Sequence, residues 1–335
     1  MKAKRFFSGL SIAALAIFAG ACQPPSYHQP DERYVLVAAN IDLPYWQEAA
    51  AGLTDVGKSM GVKVEIVGPE TFSPSEELTA FQQAVAQHPS GILVSVTDPK
   101  LFKDPIDHAI LQGIPVICID ADAPESNRVL FIGTDNFRAG QESGKRMAEL
   151  LGGQGRVVVI TISGQLNSEQ RVAGVNEALK KYAGVKIVQT IDDKGDPRVA
   201  YDGIAALLQK KEKIDGIICL EASGGEGAAD ELHRMDLTGK IKIVAFDKDP
   251  QTLDGIERKW ITATVVQKPY VMAFYGVRFL DDLHHNAVHE SKDWATAPAA
   301  PLPTFVDTGT AVIDENNLAA FRKALSEHPK PGPLG

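Results

Sequence analysis

Residues 117–124 read ICIDADAP, and residues 244–250 read VAFDKDP. In both, an apolar run ends on a carboxylate, Asp120 in the first and Asp247 in the second, with a further acid two positions on, Asp122 and Asp249. The two stretches lie about 125 residues apart, and the fold is read from what surrounds them. From Tyr34 onward, runs of Val, Ile and Leu alternate with helical patterns: YVLVAA, VKVEIV, GILVSV and IPVICI, then RVVVITI, VKIVQTI, GIICLE and IKIVAFD. Strands that are apolar throughout, rather than every second residue, are covered on both faces. Strand–helix–strand units of roughly 25–30 residues predict right-handed crossovers and doubly wound parallel sheets. The series begins twice, so the predicted fold is α/β with two such lobes. Ligands of open parallel sheets bind beyond the carboxyl ends of the strands, so Asp120 and Asp247 should face one cleft, one from each lobe.

The bulk properties agree with an ordinary globular chain. Of 335 residues, 44% are hydrophobic and 23% charged, a length for one large or two medium domains. The first 21 residues stand apart. Lys2, Lys4 and Arg5 form a positive end, Leu10 to Phe18 an apolar run too short to span a bilayer, and AGAC a small-residue cleavage site ending at Cys22. Loss of this leader takes the net charge from −9 to −12, because its three charged residues are all basic. A surface that acidic excludes nucleic acid as a partner. Cys118 and Cys219 each sit inside a buried strand of a different lobe, and no disulfide between them is expected. Ser73 and Asn167 are read as helix N-caps.

The strand-end carboxylates admit three chemistries. Metal binding would need an oxygen-rich loop or a His/Cys cluster; His285 and His289, four apart, are read as the solvated end of a helix, so neither a metal site nor a cofactor is expected. Catalysis finds little support: GxSxG and HExxH are absent, and GGEG at 224–227 lacks the third glycine of a dinucleotide loop at the required spacing. A glycosidase pair needs a fixed spacing of about 5–10 Å, which an articulated cleft does not hold. The third chemistry, two acceptors hooking the hydroxyls of one polar ligand, fits best, because ionised carboxylates make the stronger hydrogen bonds. Arg171 and Gln267 would supply donors, and Tyr45 and Trp46 an apolar ring face. Core packing is the competing reading for the two aromatics, and a surface ion pair for Arg171.

Residues 34 to about 325 resemble the ribose-binding-protein-like periplasmic substrate-binding proteins, the sugar-binding subunits of ABC importers. The resemblance is carried by PYWQ with its following Ala and Gly, IPVICID, GTDNFRAG, RVAGVNEAL, IVAFDKDP and TATVVQKPYVMA. It implies a three-strand hinge crossing near Asp135, Gln267 and Pro303. The lobes would then be 34–134 plus 268–303 and 135–267 plus 304–326, after a signal peptide at 1–21 and a tether at 22–33, with a tail at 327–335. It implies ligand contacts from Tyr45, Trp46, Asp120, Arg171, Glu221, Asp247 and Gln267. AGAC resembles a lipobox, which makes Cys22 the lipidated N-terminus of an exported, envelope-bound monomer.

The resemblance also implies a function: binding a monosaccharide or related polyol by hinge closure and handing it to a permease, without catalysis. The alternative is a sensor that presents a sugar or autoinducer-like molecule to a membrane receptor. This chain departs from the ribose pattern at Leu43 (asparagine in the family), Ala121 (arginine) and Glu221–Ala222 (an asparagine–aspartate pair), and has no aromatic at 194–196. Asp122 and Asp249 are expected to cap turns or helix starts.

Overall fold

In chain order the first stretch comprises β1 (Arg33–Val37), α1 (Pro44–Met60), β2 (Lys63–Val67), α2 (Pro74–Ala86), β3 (Gly91–Val94), α3 (Pro99–Leu111), β4 (Val116–Ile119) and β5 (Leu130–Gly133). The second has α4 (Asn136–Leu150), β6 (Gln154–Thr161), α5 (Leu166–Leu179), β7 (Gly184–Asp192), α6 (Pro197–Gln209), β8 (Gly216–Cys219), α7 (Gly224–Arg234), β9 (Lys242–Phe246), α8 (Pro250–Glu257) and β10 (Ala263–Val266). The chain ends with α9 (Pro269–His284), β11 (Phe305–Asp307), β12 (Ala311–Asp314) and α10 (Leu318–Glu327). This computed structural model describes residues 27–285 and 302–327. The signal peptide, Cys22, the tether before Tyr27, His289, much of the Pro/Ala-rich stretch and the tail from 328 lie outside the described residues.

The strands form two six-stranded sheets of matching order, β11-β5-β4-β3-β1-β2 and β12-β10-β9-β8-β6-β7. Neighbours pair in parallel except β12, which runs antiparallel to β10. The central strands β3, β4, β8 and β10 are buried along their whole length, as unbroken apolar runs require. The first sheet carries one core, with Tyr34, Leu36, Phe81, Ile92, Phe102 and Leu280 among its fully buried side chains. The second sheet has one apolar layer on each face. Cys118 and Cys219 are free and buried, in β4 and β8.

Proline opens α1, α2, α3, α6, α8 and α9, where its fixed φ and missing N–H cost a helix nothing. The cap expectations need correction. Ser73 occupies the N-cap of α2 without a side-chain cap bond, and α5 starts at Leu166, so Asn167 lies inside it and its Oδ1 accepts from Ser168 N. Carboxylates do the capping instead: Asp98, Asp135 and Asp196 each accept from first-turn N–H groups. Helix α8 was not read from the sequence; its eight residues are too few for a clear period.

The third crossing also differs from the expectation. Residues 304–307 were assigned to the second lobe, but β11 pairs with β5 in the first sheet, Phe305 opposite Phe131, and these two rings stack at 5.3 Å. The chain therefore crosses between Asp307 and Ala311, not at Pro303. Gly309 turns there at φ 72°, and Thr308 N donates to Gly133 O at 2.8 Å.

Candidate functional site between the sheets

In both sheets the strand order reverses beside the first strand of the series, between β1 and β3 and between β6 and β8. Loops leaving neighbouring strands there diverge and open a crevice. The two crevices face one another across one cavity of about 80 Å³, lined from the first lobe by Asn40, Tyr45, Trp46, Ser95 and Asp120 and from the second by Gln165, Arg171, Glu221 and Asp247. At ~10–15 Å³ per water, that is room for roughly five to eight waters, the scale of one small sugar.

Asp120 and Asp247 occupy equivalent places. Each is the residue directly after its strand, with φ of 65° and 64°. Each donates its backbone N–H to the neighbouring strand, Asp120 to Ile132 O at 3.2 Å and Asp247 to Val265 O at 2.8 Å. Aspartate is among the few residues that adopt this left-handed conformation readily, so the repeated strand-end Asp is partly a backbone requirement.

The side chains form two linked groups. Tyr45 Oη donates to Asp120 Oδ1 at 2.7 Å. Across the cavity, Arg171 is 3% exposed and donates from Nε to Asn136 Oδ1 at 2.8 Å, from Nη1 to Leu220 O at 2.8 Å and from Nη2 to Gln267 Oε1 at 3.0 Å. Its guanidinium lies 4.2 Å from the centre of the Phe246 ring. Of the five N–H donors of an arginine, two remain for a ligand. Gln267 is oriented by its partners: Oε1 also accepts from Thr134 Oγ1 at 2.8 Å, while Nε2 donates to Asp247 Oδ1 at 2.9 Å. Thr134 and Gln267 sit on two of the crossing segments, so the hydrogen-bond chain runs through the hinge.

Close backbone contact fixes Arg171. A Cβ at Gly140 would lie 2.0 Å from Arg171 O, and one at Gly174 would lie 2.0 Å from Phe137 O. Helices α4 and α5 thus touch main chain to main chain, which brings Asn136 and Arg171 together.

Burial dominates the electrostatics. It raises Asp120, against the pull of Arg171 and the hydrogen bond from Tyr45, and it pushes Asp247 up to about 8, against Arg171 and Gln267. Two buried carboxylates facing one guanidinium are poorly solvated, and hydroxyl donors from a ligand would supply what bulk water no longer does.

All seven sequence-predicted residues line the cavity, though Glu221 differs in its bonding. Its Oε2 accepts from Ser223 N at 2.6 Å and its Oε1 from Gly224 N, so it chiefly holds the start of α7. Behind it lies Asp193, fully buried and pushed up to about 10 by burial and by Glu221. Tyr45 and Trp46 belong both to the first-lobe core and to the cavity wall, packed edge to face at 5.1 Å. Asp122 is held in its own turn, paired with Arg128 and accepting from Ala123 N. Asp249 stands at the N-cap of α8 but makes no cap bond there, which corrects that expectation. Sequence reading missed Asn40, Phe72, Ser95, Gln165 and Asp193. Asn40 and Ser95 follow β1 and β3, where the strand-end rule would have found them. Phe72 follows the edge strand β2 in an irregular loop that gives no such signal.

One further bond spans the cleft. Lys248 Nζ, beside Asp247, meets Glu48 Oε1 on α1 at 2.7 Å, and both side chains are partly buried.

Two facing sheets, three crossings and a half-open cavity that receives polar side chains from both lobes define a two-lobe binding protein. The chain belongs to the family described as periplasmic binding protein domain, whose model matches residues 34–286. It is 27% identical over 263 residues to the D-allose-binding periplasmic protein of Escherichia coli, covering 74% of this chain and 83% of that one. Among solved structures it resembles a sugar ABC transporter (sugar-binding protein) from Bacillus halodurans, with a TM-score of 0.79 and 33% identity over 87% of this chain and 100% of the other. AraP, an arabinose binding protein from Geobacillus stearothermophilus, superposes with a TM-score of 0.74 at 33% identity, over 87% and 99% of the two chains.

Proposed function

We propose that this chain is the solute-binding component of an ABC importer, taking up a monosaccharide or related polyol between its lobes and delivering it, as a monomer, to a permease. The observation that carries this is the cavity itself: Asp120 from one sheet and Asp247 from the other face the same small space, with two donors of Arg171 to spare. A ligand that bonds to both lobes favours the closed arrangement by its differential affinity for it, and closure is what a permease can read. The names of the relatives, which bind allose, arabinose or sugars, support the substrate class. None of them is named as an enzyme or a sensor, so the sensor reading is not favoured. Leu43, Ala121, Glu221 and Ala222, and Gly195 of the stretch 194–196, line the cavity where the chain departs from the ribose pattern, so a sugar other than ribose is the expected ligand.

A thermal-shift panel of pentoses, hexoses, polyols and nucleosides tests the proposal. A cognate monosaccharide at 100 times its Kd adds about 2.7 kcal/mol of stability and should alter the fluorescence of Trp46. A protein that responds to nucleosides alone, or to none of the panel, is not a monosaccharide carrier.

The proposed location is the cell envelope, with residues 1–21 removed and Cys22 lipidated; the leader pattern and AGAC support this. Mass spectrometry of membrane-extracted protein should find an acylated N-terminus at Cys22. An unmodified terminus at another residue refutes the anchor and leaves the sugar site untouched.

A further inference from the structure

We propose a second ligand site on the first lobe, remote from the cleft: a zinc-class metal site formed by His28, Glu32, Asp281 and His285. The sequence pairs His285 with His289, yet the fold gathers other partners. Asp281 and His285 lie one turn apart at the end of α9, and His28 and Glu32 come from the segment entering β1. One ligand atom from each of the four lies within 4.8 Å of all the others. His28 Nε2 is 3.2 Å from Asp281 Oδ1, and His285 Nε2 is 3.2 Å from Glu32 Oε2 and 3.5 Å from Asp281 Oδ1. A tetrahedral zinc with bonds near 2.0–2.1 Å has ligand–ligand edges of roughly 3.3 Å, so three contacts already fit and the longer ones need only side-chain rotation.

The chemistry agrees with the geometry. Glu32 and Asp281 are 4% and 7% exposed, and two buried carboxylates this close call for a cation between them. A divalent ion with two carboxylates and two neutral imidazoles is charge-balanced. Both carboxylates also accept from the surrounding chain: Gln29 N donates to Glu32 Oε1 at 2.6 Å, the oxygen turned away from His285, and Tyr34 Oη donates to Asp281 Oδ1 at 2.9 Å. Such outer bonds are what aim ligands at a metal. Two imidazoles with two carboxylates suit zinc and its transition-metal neighbours, whereas calcium needs six to eight oxygens. His28 lies six residues past Cys22, so the ion would rivet the base of the proposed tether to the last turn of α9, whatever ligand the cleft takes.

The test uses the chain beginning at residue 22, stripped with chelator and titrated with Zn2+ and with Co2+ as a coloured probe. Expected are one equivalent of Zn2+ per chain, the intense visible absorption of tetrahedral Co2+, and a melting temperature that rises with Zn2+ and falls back with chelator. His28→Ala or His285→Ala should weaken Zn2+ binding at least about tenfold, and the double variant should abolish it. The double variant's response to the sugar panel reports that it is folded and that the cleft is separate. No Zn2+ uptake by the folded wild type would make the cluster an ion-pair network only and overturn the proposal. Undiminished uptake by the double variant, or Zn2+ displaced by sugar, would overturn it equally.

Discussion

Arg171→Ala should raise the Kd for the cognate sugar by more than a hundredfold. The guanidinium is 3% exposed, makes three hydrogen bonds and stacks over Phe246. It is also the cation that holds down Asp120 and Asp247, both of which burial drives upward. Removing one partner from a buried ionic group costs about 3–5 kcal/mol, because the charges left behind have neither partner nor water; this is roughly 150- to 5,000-fold in affinity. In an open, wet cleft most of that cost disappears, so ligand-free melting should change less than affinity does. Arg171→Lys separates charge from shape: it keeps the cation but loses the planar fork that reaches Asn136, Leu220 and Gln267 together, and should fall between wild type and alanine. Isothermal titration with the sugar identified by the panel is the measurement. An alanine variant within tenfold of wild type would mean that Arg171 is a packing group.

The second large effect concerns the carboxylates. Asp120→Asn and Asp247→Asn should each weaken sugar binding by about 1.5–3 kcal/mol, the range for hydrogen bonds to a charged group, or about ten- to 150-fold. Asparagine is the appropriate replacement because it keeps an oxygen for Tyr45 or Gln267 and accepts the φ near 65° at both positions. The same change at Asp122, which is paired with Arg128, should leave affinity within a few-fold while lowering melting temperature, whereas at Asp249, which makes no cap bond, it should lower neither. The pH dependence has a definite sign. A solvated aspartate titrates near 3.9, whereas the closed cleft pushes Asp247 up to about 8. Closing without ligand therefore takes up a proton between about pH 4 and pH 8, and the empty closed form is lost as pH rises through that window. Small-angle scattering of the sugar-free protein across the window should show expansion toward high pH, weakened in Asp247→Asn. A radius of gyration independent of pH would contradict it.

The fold was legible because its signals are redundant. Unbroken Val/Ile runs, proline at helix starts and the recurrence of strand-end aspartate all point to the same layered arrangement. What sequence could not show depends on distant packing. The third crossing was misplaced because β11 is three residues long and is held in the first sheet by the Phe131–Phe305 stack, a contact between residues 174 positions apart. Within the site, residues at strand ends were found, and Arg171 was read as a donor at the start of the helix that follows a strand. Glu221 was found in place, but its engagement with the α7 main chain was not, since that depends on a turn only the coordinates reveal. The approach of His285 to His28 was equally hidden, because 257 residues separate the two ends that meet.

The left-handed backbone at Asp120 and Asp247 also bears on how such a pocket can be redesigned. A position held at φ near 65° is open to Asp, Asn and Gly, while β-branched or bulky side chains carry a penalty of roughly 1–2 kcal/mol before any contact is counted. The two aspartates are therefore hard to replace, and drift toward a new sugar has to run through other wall positions, Leu43, Phe72, Ala121 and Ala222. A library confined to those four sites should retarget the cleft without unfolding the lobes, whereas one that randomises the aspartates should return mostly misfolded or silent clones.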